Sequence, residues 1–292
     1  MAKKDQNIQQ YHLHKEQPEK LQFEIYNLSD YFKKNEKGAS IPHSHSFYQI
    51  LWFFKKGGNH FIDFNKYPIL DNTVFFIAKS QIHFFEKSQD YEGILIHFNE
   101  NFLMHSDVDI FLKYNVFNNL QEPCYSITID EINSATKYIE LIKNELLNKT
   151  LFGHQQVIRY LLKSLLIVFE RAHRSIKKDA LKFNNLYELH YLNFRELLEQ
   201  NFNKGFSVKN YADQLNISTK TLATITNSIG SKTPSLLIAE RVILEAKRLL
   251  AYTTLHINEI GYQLGFEDAS YFVKYFKRYT KKSPGSYRKL IT

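Results

Sequence analysis

The residues best placed for chemistry lie near the end of the chain, where Ser270, Lys274, Lys277 and Arg278 recur at a spacing that puts them on one face of a helix. Phe272, Phe276 and Tyr279 fall at i, i+4 and i+7 and supply the buried stripe. Lysine and arginine carry only donors, so such a row suits phosphate oxygens and the acceptor edges of bases. The same pattern also fits an ordinary helical hairpin with a solvated charged face. The rest of the chain has to decide.

Several elements must hold that face in place. Ile257, Ile260, Tyr262 and Leu264 describe a short apolar helix with Glu259 in its first turn, where the helix dipole favours a carboxylate. Gly265 then stops it, and Asp268 stands ready to cap the next helix. An earlier stretch repeats the plan: a helix over Val208–Leu215 with the small Ala212, a turn at Asn216-Ile217-Ser218, and a helix from Thr219 to about Ser228. A helix over Leu189–Phe202, ended by Lys204-Gly205, precedes it. Pro234 starts a longer helix through Leu250 in which Leu237, Arg241, Leu244 and Arg248 show mixed faces. Two helix-turn-helix units joined by one helix are far more specific than either alone.

Composition narrows the remainder. The 292 residues are enough for two domains, and 43% apolar content supports globularity. Cys124 is the single cysteine, which excludes a disulfide framework and fits a reducing cytoplasm. Residues 1–20 are polar and read as a flexible arm rather than a secretory signal, and no apolar run is long enough for a bilayer. The formal charge is +8, and Tyr187–Thr292 hold fifteen Lys and Arg against nine Asp and Glu, whereas the other 186 residues hold 23 against 21. The basic surplus therefore sits beside the paired helices.

From Leu21 to about Asn99 the runs are short and β-rich: Phe47–Phe54, a hairpin signal at Lys55-Lys56-Gly57-Gly58-Asn59, His60–Phe64, Thr73–Ala78 and Tyr91–Phe98. Close spacing with no helical segment between them predicts a small antiparallel barrel or sandwich. After Pro123 the period lengthens: Ile132, Ala135, Ile139, Ile142 and Leu146 mark one amphipathic helix, and Val157, Leu161, Leu165, Val168 and Ala172 another. The expected fold is α+β in two domains, with a helical dimerisation hairpin over 126–176 and a linker over 177–186.

The C-terminal 105 or so residues resemble the AraC-type family of bacterial transcription regulators. Ile257, Glu259, Ile260, Gly265, Phe266, Ser270, Tyr271, Phe272, Phe276, Lys277, Ser283, Pro284, Tyr287 and Arg288 stand at positions of the family pattern, as do Arg241, Ala246, Leu249 and Leu250 in the joining helix. Gly261, Lys274 and Lys281 replace the usual alanine, arginine and glycine, and Thr226 stands where phenylalanine is common. The resemblance implies a double helix-turn-helix DNA-binding domain over 187–292 in which Thr219, Lys220, Ala223, Thr224, Ala269, Ser270, Tyr271 and Lys274 read bases in the major groove. Arg241, Lys277, Arg278 and Arg288 are expected on phosphates. Implied partners are double-stranded promoter DNA, a second copy of the chain, a small-molecule effector and RNA polymerase, with no membrane.

Residues 21–125 resemble the cupin-like domain that many such regulators carry, by Pro42-His43-Ser44-His45, Phe47-Tyr48-Gln49 and Ile82-His83. In a metal-binding cupin a glutamate follows the H-x-H pair, and Gln49 occupies its position here. An amide adds no charge to hold a divalent cation, so neither a metal nor any other cofactor is expected. The resemblance instead implies an effector pocket lined by His43, His45, Gln49, Trp52, Phe54 and His83, unless these are simply barrel core. A metal-dependent cupin isomerase or oxygenase with an accessory DNA-binding domain is the alternative function.

Overall fold

The computed structural model describes residues 8–17, 19–86, 90–103, 123–177 and 185–291. The chain divides into two compact units, one over Gln9–Ala180 and one built chiefly from Leu181–Thr292.

The first unit holds strands β1 (Gln9–Tyr11), β2 (Phe23–Asn27), β3 (His43–His45), β4 (Tyr48–Phe53), β5 (Asn59–Ile62), β6 (Asn65–Pro68), β7 (Thr73–Ile77), β8 (His83–Phe85), β9 (Gly93–Phe98) and β10 (Cys124–Ser126). They form two five-stranded sheets, ordered β1-β3-β8-β5-β6 and β10-β7-β4-β9-β2. β4 is apolar on both faces because it is central. Leu51 and Phe53 pack with Phe75, Leu95, Ile62 and Phe85 between the sheets, whereas Ile50 and Trp52 join Val74, Phe76 and Ile96 under two helices. Those helices are α2 (Ile129–Leu146) and α3 (His154–Lys177), which contribute Ala135, Ile139, Ile142, Leu162, Leu165 and Phe169 to that layer. Each fully buried side chain here, such as Phe53 or Phe75 at 0% exposure, contributes about 1.5–3 kcal/mol of transfer free energy.

Four features differ from the sequence expectation. A helix, α1 (Leu28–Ala39), interrupts the β-rich region, capped by Asn27 and burying only Leu28, Phe32 and Ala39. Lys55–Asn59 does not close a hairpin, since β4 and β5 belong to different sheets. The two-residue hairpin comes next, at Asp63-Phe64 between Ile62 and Asn65, with Asp63 at φ 52. Gln9–Tyr11, expected in the flexible arm, pair in parallel with His43–His45. In α3 the buried stripe is Ile158, Leu162, Leu165, Leu166, Phe169 and Ala172, so Val157 is exposed.

The second unit is helical: α4 (Asn185–Asn201), α5 (Val208–Gln214), α6 (Thr219–Gly230), α7 (Pro234–Tyr252), α8 (Ile257–Gln263), α9 (Ala269–Thr280) and α10 (Pro284–Ile291). α4 begins two residues before the expected boundary at 187, and α10 adds a helix after the second pair. Residues 178–184 of the expected linker lie outside the described residues. Phe194, Leu198, Tyr211, Ala212 and Leu222 form one core, while Ile260, Leu264, Phe272 and Phe276 form another. α7 serves both, with Leu237 in the first and Val242, Ile243, Ala246 and Leu250 in the second.

Candidate functional site

The turn between α8 and α9 is shaped by one glycine. Gly265 adopts φ 82, which lets Phe266 N–H donate to the Gly261 carbonyl (3.0 Å) and closes the helix in a left-handed cap. A Cβ on Gly265 would lie 2.5 Å from both the Asn203 carbonyl oxygen and the Gly205 nitrogen. Only glycine permits that approach. Asp268 then accepts from Ser270 N–H (2.8 Å) and starts α9. Phe272 and Phe276 are fully buried, and Ser270, Tyr271, Lys274, Lys277 and Arg278 are exposed, with Ala269 half-buried. Tyr271 is 59% exposed, a large aromatic held at the start of a helix where hydrophobic burial does not account for it.

The earlier pair follows the same geometry with different residues. Asn216 takes the left-handed position at φ 53, Ile217 N–H donates to the Ala212 carbonyl (3.1 Å), and Ser218 accepts from Thr221 N–H (2.9 Å). Thr219, Lys220 and Thr224 are exposed and Ala223 is half-buried, while Leu222, Ile225 and Thr226 face the core. Thr226, in the place of a common phenylalanine, is fully buried and donates its hydroxyl to the Ala223 carbonyl (3.3 Å).

Two of the four cations expected on phosphates are used internally. Arg241 is 8% exposed: Nε donates to Glu199 (2.8 Å), Nη1 to Glu245 (3.0 Å), and the guanidinium lies 3.8 Å from the Phe202 ring centroid. It ties α7 to α4 instead of reaching solvent. Arg288 is half-buried and donates Nε to the Leu250 carbonyl (3.1 Å), closing the last turns of α7, and burial lowers its pKa. Lys277 and Arg278 remain on the exposed face.

The first unit carries an open cavity of about 620 Å³ lined in part by Tyr11, His43, His45, Gln49, His83 and His97. His43 Nδ1 meets the Ile41 carbonyl (2.8 Å), His83 Nδ1 meets His60 Nε2 (2.9 Å), and the Gln49 amide meets His97 Nε2 (2.9 Å). Both nitrogens of His45, Nε2 of His83 and Oε1 of Gln49 are buried with no partner among the described residues. Burial keeps these imidazoles neutral: it lowers His43, takes His83 and His60 well below the usual value, and pulls His45 to about 2 and His97 to about 3.

Trp52 and Phe54, expected in the same pocket, lie elsewhere. Gln49 and Trp52 are an odd number of strand residues apart, so they point to opposite faces of the sheet. Trp52 packs edge-on against Phe54 (5.0 Å) and faces α3 through Phe169 (6.4 Å), beside a separate cavity of about 450 Å³ bounded by Ile139, Glu140 and Lys143. The sequence reading missed His97, His60 and Tyr11. His97 left a signal, a lone polar residue in the apolar run Ile94–Phe98 that pairs across the ladder with Gln49.

Residues 211–290 match a helix-turn-helix domain family. The chain is 23% identical to the HTH-type transcriptional activator RhaS of Mannheimia succiniciproducens over 84% of its own length and 88% of that protein. It is 27% identical to the raffinose operon transcriptional regulatory protein RafR of Pediococcus pentosaceus, over 59% and 61% respectively. Among solved structures it is similar to a single-substitution variant of apo ToxT from Vibrio cholerae, with 17% identity, 92% and 97% coverage and a TM-score of 0.34. Among the described residues no helix is long and apolar enough to cross a membrane.

Proposed function

We propose that this chain, a DNA-binding transcription regulator of the AraC type, reads two adjacent major-groove segments with α6 and α9 and is tuned by a signal received in its histidine-lined cavity. The observation that carries the reading is the face of α9, where Ser270, Tyr271 and Lys274 stand free of the core at the start of a helix whose Phe272 and Phe276 are locked into it. In α6 the matching residues are Thr219, Lys220, Ala223 and Thr224. Lys220 and Lys274 donate to guanine O6 and N7, and Lys277 and Arg278 hold phosphates. Arg241 and Arg288 act one step back, by fixing the scaffold.

The two sheets of the first unit form a cupin-like barrel in this reading, and α2 with α3 supplies a homodimer surface. Val157, Tyr160 and Ile167 are exposed along α3, with Leu147, Leu151 and Phe152 at the preceding turn. A seam of that spacing suits a second copy of the same helix, and two-fold symmetry suits paired half-sites. Selection of bound genomic fragments followed by Lys274→Ala is the test. The variant should relax preference at one base by about 1–3 kcal/mol. Equal loss on every sequence would move Lys274 to the phosphate-contacting set.

A further inference from the structure

We propose that the first unit holds a ligand site on the outer face of its sheet, where Trp52 meets α2, and that it takes an uncharged small molecule with a flat apolar body and one carbonyl oxygen. The site stands apart from the histidine-lined cavity and does not rest on the sensing role given above.

Strand parity and register build it. Trp52 on β4 pairs directly with Ile94 on β9, so both side chains stand on the sheet face that α2 covers, the one opposite Gln49. Ile139 of α2 belongs to the same packed layer, and Thr136, Glu140 and Lys143 follow at i, i+4 and i+7 along the flank of that helix. One position in the lining has to stay bare. A Cβ on Gly93 would lie 2.0 Å from the Trp52 carbonyl oxygen, so no side chain can grow there to fill the gap at the start of β9. Asn27 and Ser29, at the beginning of α1, complete the lining with Phe54. The open cavity between them is about 450 Å³, a size that suits a small molecule.

The indole is the group that asks for a ligand. Trp52 is 2% exposed, and its Nε1 is buried with no hydrogen-bond partner among the described residues. A buried tryptophan ordinarily places this N–H on an acceptor, because the bond it made to water is otherwise lost. An indole nitrogen only donates, so the missing partner is an oxygen or nitrogen lone pair. Phe54 stands edge-on to the indole at 5.0 Å and is 40% exposed, so its ring has room to turn outward and admit that atom.

The rim sets the charge of the ligand. Glu140 and Lys143 lie within one turn of each other, and neither is ion-paired among the described residues, so their charges offset. Glu92 is held by Lys55 at 2.8 Å. No net charge remains to compensate the desolvation of an ion. A flat apolar body against Trp52, Phe54, Ile94 and Ile139, with its carbonyl oxygen on Nε1, uses the groups that are present.

Trp52 is the only tryptophan in the chain, so its fluorescence reports on this site. The full chain is titrated with N,N-dimethylbenzamide, an uncharged aromatic carbonyl compound. The emission should change saturably and move to longer wavelength as Nε1 gains an acceptor, whereas isopropylbenzene, which has no acceptor, should cause no such movement. Thr136→Phe, which fills the cavity from an exposed position and leaves the core alone, should abolish the response. Trp52→Phe, followed by ligand-observed NMR, should weaken binding by about 5–10-fold through loss of the donor. Lys143→Ala should leave the affinity unchanged, and benzoate should bind about tenfold more weakly than the amide. No saturable response, or one that survives Thr136→Phe, would overturn the site. The same spectral movement with isopropylbenzene would overturn the hydrogen bond to Nε1, and benzoate binding as tightly as the amide would overturn the uncharged class. Should Trp52→Phe misfold, the comparison of the two aromatic compounds on the unaltered chain still decides.

Discussion

Replacing Arg241 with alanine separates a scaffold role from a DNA role, because the two predict opposite signatures. The side chain bridges α7 and α4 through Glu199 and Glu245 while its guanidinium stacks on Phe202. Glu199 has a side chain 51% exposed, so its share is that of a surface pair, about 0.2–1 kcal/mol. Glu245 keeps Arg248 at 3.2 Å after the substitution and is not left as a lone buried charge. The penalty therefore falls short of the 3–5 kcal/mol or so typical of a broken buried pair. The desolvated stacking on Phe202 adds about 1–2 kcal/mol. The total is roughly 1–3 kcal/mol lost by the C-terminal unit.

Urea unfolding of the full chain, followed by circular dichroism, should show the transition of that unit shifted to lower denaturant with its slope unchanged. Arg241→Met, which restores the buried stem without the charge, should recover part of the loss. Under conditions where the variant is folded, the slope of log affinity for DNA against log salt should match the unaltered chain. A phosphate contact at this position would instead lower that slope by about 1 and leave the urea midpoint in place. That pair of results would refute the clamp.

Three further outcomes follow from single positions or groups. Lys281 caps α9 at φ 63, a left-handed conformation that costs an L-residue energy, so Lys281→Gly should stabilise the C-terminal unit by about 0.5–1 kcal/mol in the same urea titration. Gly265→Ala should abolish operator binding in a mobility-shift assay and destabilise this unit, since its Cβ would press on the Asn203 carbonyl at 2.5 Å. The first unit should lose stability as pH falls from about 6.5 toward 3: unfolded histidines protonate near 6.5, whereas His97 holds out to about 3 and His45 to about 2. Each such group contributes a slope of about 1.4 kcal/mol per pH unit, and a thermal midpoint that stays flat across that window would contradict the neutral cluster.

The C-terminal half was legible because its information is local. Caps at Ser218 and Asp268, the left-handed turn at Gly265 and the stripe of Phe272 and Phe276 each lie within one helix pair, and the structure puts each where its spacing predicts. What failed was non-local. The charge of Arg241 on a mixed-face helix says nothing of Glu199, which arrives from 42 residues earlier. α1 went unseen because the polar run Lys33–Lys37 leaves it only three buried anchors, and the sheet membership of β5 cannot be read from the turn before it.

The misplacing of Trp52 is of another kind, since strand parity alone assigns it to the face opposite Gln49. Applied consistently, the same parity groups His43 with His45 and leaves Gln49 and Leu51 on the inner face of β4. Gln49 invited the question of what replaces a missing carboxylate. In the structure its amide is engaged instead by His97 of the paired strand β9 at 2.9 Å, a contact between residues 48 apart that no local pattern encodes.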